Sequence, residues 1–356
     1  MTGREHALLA GRGAAGIWAA LRALDLRDQY VLIPANTCYI VLWAVLRSGN
    51  KPLLLDVEQS SVLSKGVQLN APTERKISAI IPCHVYGLPA PMAAICAWAK
   101  ANDVYVIEDG ALALGANADG RPAGSWGDVS IFSFGLGKIA DNQLGGAVLT
   151  DDAHLATEMG KLLAEVPLWD DAFMALTNQW NAIYWAMHQY EAPNPGLSTL
   201  YPALYDIYSP LTTYQLPPSY WDDLPDLLQN LPADLAHRET MVRLYDDLLF
   251  PDLAHSLATL PRPTGSILWR YPLLVQDGRR DELLQYLWEN GVQDATRWYP
   301  SLRYMTAALA PDIPQPPTPN ADELGESIIN LRLDSAIDRA DVEQTANLIR
   351  AFDERR

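Results

Sequence analysis

Basic residues are few in this sequence. Its 356 residues carry 26 Lys and Arg against 43 Asp and Glu, a net charge of −17. Such a chain lacks the basic patch that holds a nucleic acid or an anionic membrane. An anionic ligand would have to be met locally, by backbone N–H groups and a few cations. Cysteine is scarcer still. Cys38, Cys83 and Cys96 are odd in number and widely spaced, which excludes a disulfide framework or a CxxC metal site and points to a reduced, cytoplasmic setting. The six histidines are scattered, with no HxxxH or HExxH spacing, so no metal site is expected. No run of 18 apolar residues occurs, so no membrane span is expected. The start, MTGREHALLAGRGAAG, shows neither the apolar core nor the cleavage pattern of a secretory signal.

What is present is apolar. Hydrophobic residues make up 49% of the chain, enough for a sizeable core, and the length suits two domains or one large and one small. The first 150 residues alternate between short apolar runs and helical patterns. YVLIPA, KPLLLDVE, ISAIIPCHVYG, VYVIEDGALALG, DVSIFSFG and GGAVLTDD read as strands. AAGIWAALRALDL, YIVLWAVLRSGN (ending at Gly49) and APMAAICAWAKAND read as helices. This rhythm predicts βαβ units and an α/β, mostly parallel sheet covered by helices. Residues 160–225 are rich in Trp, Tyr, Pro and Asn; their first half reads as a helix and their second as an irregular connection. A helix is expected from Leu224 to Leu249. Strands in SILWRYPLLV, VQDATRWYP and ESIINLRL and helices in RRDELLQYLWENG and DRADVEQTANLIRAF then form a small α+β unit. The boundary is placed near residue 232, giving a large domain of residues 1–231 and a small one of 232–356.

Ligands of parallel α/β sheets sit beyond the carboxyl ends of the strands. Glu108 and Asp109 end one apolar strand, His84 follows another, and Ser133 and Lys138 follow a third. Lys138 lies between two strands in a loop holding Gly135, Gly137, Gly145 and Gly146. A strand-end acid and a lysine one strand later suit pyridoxal 5′-phosphate: the amine can form a Schiff base and the carboxylate can keep the pyridine nitrogen protonated. GRGAAGIW supplies a helix start with small residues, suited to a phosphate. Each signal alone has an ordinary reading as a cap, a turn or a solvated lysine; their order along the chain favours the cofactor.

The segments Val31–Glu58, Ile81–Asp152 and the terminal ESIINLRL unit resemble the DegT/DnrJ/StrS aminotransferases, fold-type-I pyridoxal phosphate enzymes that act mostly on nucleotide-linked keto sugars. The resemblance is dense over residues 11–151 and thinner over 232–356. It implies that Lys138 is the Schiff-base lysine, Asp109 the partner of the pyridine nitrogen, and Ser133, with the backbone of Gly13 and Ala14, the phosphate site. It places Cys38 where a ring often stacks on the cofactor, with Tyr39 as an alternative, and His84 as a catalytic group near it. It implies a homodimer with its active site at the subunit interface, and an amino donor and a keto substrate as small-molecule partners. The chain also departs from the pattern. Leu112 replaces a common glutamine, SFGLGK replaces the usual lysine loop, and the asparagine–arginine segment that reaches the partner subunit is not recognisable. Other pyridoxal phosphate chemistry, such as a lyase or dehydratase, and a non-catalytic relative are the alternative readings; Lys138 disfavours the dehydratase, and Asp109, Ser133 and Lys138 disfavour the non-catalytic one. Trp180, Trp185 and Tyr190 are candidates for the active-site wall or a subunit interface. Arg270, Arg297 and Arg303 are either contacts for an anionic substrate or ion pairs.

Overall fold

The computed structural model describes residues 1–58, 76–190, 195–250 and 252–355. Seven strands form one sheet: β1 (His6–Ala10), β2 (Tyr30–Pro34), β3 (Lys51–Leu55), β4 (Ile77–Ile80), β5 (Tyr105–Asp109), β8 (Val129–Ser133) and β9 (Gly146–Thr150). Their order is β1-β9-β8-β5-β4-β2-β3. The pairs β2/β3, β2/β4, β4/β5 and β5/β8 are parallel, whereas β8/β9 and β1/β9 are antiparallel. Two-residue strands β6 (Asn117–Ala118) and β7 (Arg121–Pro122) form a small ribbon of their own.

The central strands read as continuous apolar runs because both of their faces are covered. Val31 and Ile33 point into one core and Leu32 into another; Ile107 and Val106 divide the same way. Helices α1 (Gly13–Ala23) and α2 (Tyr39–Arg47) pack on the larger core, and α3 (Met92–Asn102) covers the smaller one through Met92 and Ile95. Helix α2 stops at Gly49, whose φ of +83° lets its N–H and that of Asn50 return to the carbonyls of Leu46 and Val45. Helix α4 (Ala153–Glu165) follows β9, capped by the Asp152 carboxylate, which accepts from the N–H groups of His154 and Leu155.

The aromatic middle of the chain is more helical than expected. It holds α5 (Asp171–Tyr190), α6 (Tyr201–Tyr208) and short 3₁₀ turns up to Trp221. Helix α7 spans Leu224–Leu249, as read from the sequence, so the boundary expected near residue 232 falls inside it. The C-terminal part is an antiparallel sheet of β10 (Leu257–Thr259), β11 (Tyr271–Val275) and β12 (Ile328–Leu331). Around it lie α8 (Arg280–Glu289), α9 (Arg303–Leu309), α10 (Pro319–Ser327) and α11 (Arg339–Asp353). VQDATRWYP is not a strand: it makes a single antiparallel bridge, Thr296 with Asn330. Among the described residues, no helix is long and apolar enough to cross a membrane.

Candidate active site

The carboxyl ends of β2, β4, β5 and β8 converge on a cavity of about 260 Å³. Gly13, Ala14, Cys38, Tyr39, His84, Asp109, Ser133 and Lys138, scattered over 126 positions of sequence, all line it.

One wall is the start of α1. Arg12 precedes the helix in an extended conformation, offers no side-chain cap, and no acid occupies the first turn. The first-turn N–H groups therefore keep their affinity for an anion. Close backbone packing holds this start in place. A Cβ on Gly11 would lie 2.0 Å from the Tyr214 carbonyl oxygen, and one on Gly146 would lie 2.5 Å from the Gly13 nitrogen. The Arg12 guanidinium donates to the Leu211 carbonyl at 2.7 Å. Across from the helix start, the Ser133 hydroxyl accepts weakly from the Gly135 N–H at 3.4 Å.

The adjacent acids of β5 point to opposite faces and do different work. Glu108 is fully buried, and its carboxylate accepts from the N–H of Gly124 (2.7 Å), the N–H of Trp126 (2.8 Å), the Ser130 hydroxyl (3.0 Å) and His84 Nε2 (2.8 Å). Burial alone would raise its pKa, but these donors, His84 first among them, hold it below the usual carboxylate range. His84 Nδ1 accepts from the Ala90 N–H at 2.9 Å, which leaves the proton on Nε2 facing Glu108. Both ring nitrogens are thus engaged, and neither is free to move a substrate proton. Asp109 faces the cavity. Its carboxylate accepts from the Ala111 N–H at 2.9 Å. Burial raises its pKa, opposed by the Ala111 N–H and by the charge of Lys138.

Lys138 occupies the loop that joins β8 to β9. Its backbone N–H donates to the Gly135 carbonyl at 3.1 Å, and Gly137 takes a φ of +75°. The Trp269 indole N–H donates to the Gly137 carbonyl at 2.5 Å and pins the loop. The half-buried amine sits 5.8 Å from the centre of the Trp269 ring and makes no ion pair among the described residues. Burial lowers its pKa from the ordinary 10.5, and the Arg12 charge adds to this, while Cys38 and Asp109 oppose it. The Cys38 thiol is pushed up by burial.

Other candidates divide. Tyr39 lines the cavity, but its hydroxyl accepts from the Trp180 indole at 2.6 Å and its ring meets Trp43 edge-on. Leu112, Trp180 and Trp185 line the cavity as well; the Tyr190 side chain lies outside the described residues. Arg297 is buried and pairs with Asp281 at 3.0 Å, a carboxylate shared with Arg280 at 2.7 Å. Arg303 pairs with Asp322 at 2.9 Å. Arg270 lies over the rings of Trp269 and Trp298, with one N–H donated to the Asp294 carbonyl at 2.6 Å. None of these three arginines lines the cavity.

Sequence reasoning missed Trp269, Trp298, Tyr299 and Tyr214, all on the cavity wall. Three ties bring the C-terminal residues there. The Trp269 N–H donates to the Tyr86 carbonyl (3.0 Å), the Tyr299 N–H to the Tyr86 hydroxyl (3.0 Å), and the Leu302 N–H to the Ala35 carbonyl (2.7 Å). The paired WRYP and RWYP segments were the available signal, but attention to their arginines hid their tryptophans.

Comparison with known proteins agrees with the resemblance read from the sequence. Residues 1–167 match the model of the DegT/DnrJ/EryC1/StrS aminotransferase family. A UDP-N-acetyl-3-dehydro-alpha-D-glucosamine 3-aminotransferase of Acidithiobacillus ferrooxidans is 36% identical over 164 residues, 45% of this chain and 44% of that protein. A GDP-perosamine synthase of Caulobacter vibrioides is 32% identical over 158 residues, 44% of this chain and 43% of that protein. The matched region thus spans less than half the length of these relatives. Solved structures extend the likeness in fold. A DegT DnrJ EryC1 StrS aminotransferase from Brucella abortus superposes with a TM-score of 0.74 at 21% identity, over 99% of this chain and 87% of that one. An aminotransferase from Psychrobacter cryohalolentis gives 0.75 at 21% identity, over 99% and 88%.

Proposed function

From a chain that matches the DegT/DnrJ/EryC1/StrS aminotransferase family over residues 1–167 and takes the fold of its solved members throughout, we propose an aminotransferase that uses pyridoxal 5′-phosphate. The acceptor is a keto compound, and keto sugars are the class to which the names of the relatives point. One observation carries the reading: Lys138, Asp109, Ser133 and the uncapped start of α1 share one cavity.

The residues fit the cofactor. An anion has a ready seat at Gly13 and Ala14, where no carboxylate competes for the helix start, and the Ser133 hydroxyl stands opposite. The half-buried amine of Lys138, which makes no ion pair among the described residues, is suited to bind a carbonyl carbon, because burial favours its neutral, nucleophilic form. When bound, the cofactor supplies an electron-withdrawing ring that stabilises negative charge on a substrate carbon. Asp109 would hold a proton on the ring nitrogen and so maintain that withdrawal. Lys138 would carry the proton at the substrate carbon. His84 acts as a positioning residue: it locks Glu108 and the chain around Ala90, and so the end of β5.

The reading includes a cytoplasmic homodimer with the site at the subunit interface, and a division of the chain near residue 232, along α7. Absorption spectra before and after borohydride, followed by half-transamination with a panel of amino donors, test it. A colourless protein that takes up no cofactor overturns it.

A further inference from the structure

Helix α5 begins at Asp171, just past the residues 1–167 that match the family model, and one of its faces forms part of the cavity wall. Thr177, Trp180, Asn181, Tyr184 and Trp185 line the cavity, at the spacings of three and four that put side chains on one side of a helix. Trp180 fixes that face. It is buried, its indole N–H donates to the Tyr39 hydroxyl at 2.6 Å, and its ring lies 5.1 Å from those of Trp43 and Tyr208. Tyr39 and Trp43 belong to α2, whose first residues line the same cavity, so α5 is held against α2 with this face toward the site.

The residues assigned to the chemistry, Lys138, Asp109 and Ser133, all lie within the matched part of the chain. Helix α5 lies beyond it and brings groups of another kind. Thr177 and Asn181 are four positions apart, on successive turns, with roughly 6 Å between their Cβ atoms. Thr177 is half-buried and Asn181 exposed, so solvent reaches both and a ligand can take its place. A hydroxyl and an amide each donate and accept hydrogen bonds. They match a partner that also does both. An alcohol does, whereas a carboxylate or an ionised phosphate only accepts. Two such groups one turn apart suit a ring that carries more than one hydroxyl.

We propose that Thr177 and Asn181 are specificity-determining residues: they hydrogen-bond the hydroxyls of the acceptor and so select a hydroxylated ring over a ligand that lacks one. A site built to bond a hydroxyl discriminates strongly against an analogue without it, because the site's own polar groups then go unpaired. That this ring is the amino acceptor rests on the proposed function; the preference for hydroxyls does not. The hydroxylated ring is common to a free sugar and a nucleotide-linked one.

The test is binding to the full-length protein saturated with pyridoxal phosphate, followed by titration calorimetry. Two pairs of probes are compared: a methyl 3-keto-glucoside against cyclohexanone, and UDP-N-acetylglucosamine against UDP. In at least one pair the member with the hydroxylated ring should bind about tenfold or more tightly than its counterpart, and the pair that does so shows whether the sugar is taken free or nucleotide-linked. Asn181→Leu and Thr177→Val should each shrink that advantage by roughly fivefold while leaving the affinity for the counterpart unchanged. Asn181→Gln, which keeps the amide, should retain more of the advantage than Asn181→Leu. The proposal fails if neither pair shows the advantage, or if the advantage survives both substitutions. Borohydride labelling of Lys138 is scored separately: its failure counts against the proposed function alone.

Discussion

His84 and Glu108 form a closed pair at the carboxyl edge of the sheet, Nε2 to Oε1 at 2.8 Å, with both side chains fully buried. Glu108 also takes three other donors, two donors falling on each oxygen, so an amide in its place would turn an NH₂ toward two of the four. Glu108→Gln should therefore destabilise the fold by roughly 3 kcal/mol, measured by urea unfolding. The pH dependence has a defined sign. A carboxyl held below its ordinary 4.5 contributes stability that is complete above that value and is lost as pH falls through the lower folded value. The difference in stability between parent and variant should narrow on acidification below pH 4.5. A variant as stable as the parent at pH 7 would show that the pair does not hold the strand end.

Asp109 differs from its neighbour in facing the cavity and in having few donors. Asp109→Asn keeps the shape and removes the charge. It should still take up pyridoxal phosphate but lose activity by about a hundredfold or more, because a neutral amide cannot hold a proton on the ring nitrogen. Turnover near the parent's would reduce Asp109 to a turn residue bonded to Ala111.

The legible parts of the molecule were those fixed by local pattern. Buried parallel strands announce themselves as apolar runs, and so the acids of β5, His84 and the Lys138 loop could be set at strand ends. The antiparallel edge strand His6–Ala10 was missed because it is short and only half covered, with burial alternating along it. The reading of VQDATRWYP as a strand failed because its β-branched and aromatic residues serve long-range packing instead. Trp298 stacks on Trp269 and Tyr299 on Tyr86, contacts no local window contains. The occupied nitrogens of His84 depend on Ala90 and on a neighbouring strand 24 positions away, which a motif does not display.

Gly11 is required by a backbone. A methyl group there would meet the Tyr214 carbonyl oxygen at 2.0 Å, and the Tyr214 ring stands behind it. Neither the strand end nor the buried tyrosine can yield freely. Gly11→Ala should cost roughly 2 kcal/mol of stability and shift the start of α1, weakening pyridoxal phosphate binding more than binding of its unphosphorylated form. Gly160→Ala, inside α4 where a Cβ meets nothing within 4 Å, is the control: it should raise stability by up to about 1 kcal/mol and leave cofactor binding unchanged. Equal effects of the two substitutions in equilibrium dialysis would show that the close approach does not set the anion seat.

The last prediction concerns the amine of Lys138. Burial lowers its pKa from 10.5, so its neutral fraction should appear at lower pH than the ordinary value implies. In the cofactor-free protein, trinitrobenzenesulfonate labelling of Lys138 should titrate with a midpoint below 10.5. Asp109 supports the charged form, so Asp109→Asn should move that midpoint further down; Arg12 opposes it, so Arg12→Gln should move it up. With pyridoxal phosphate present, borohydride should leave the cofactor on the peptide containing Lys138. Lys138→Ala should keep the helix start and Ser133 intact and so retain non-covalent uptake. It should nonetheless lose transamination by a factor on the order of ten thousand or more, since nucleophile and proton carrier go together. Mass spectrometry placing the label on Lys100 or Lys161, or midpoints that do not move with Asp109 and Arg12, would remove Lys138 from the centre of the site.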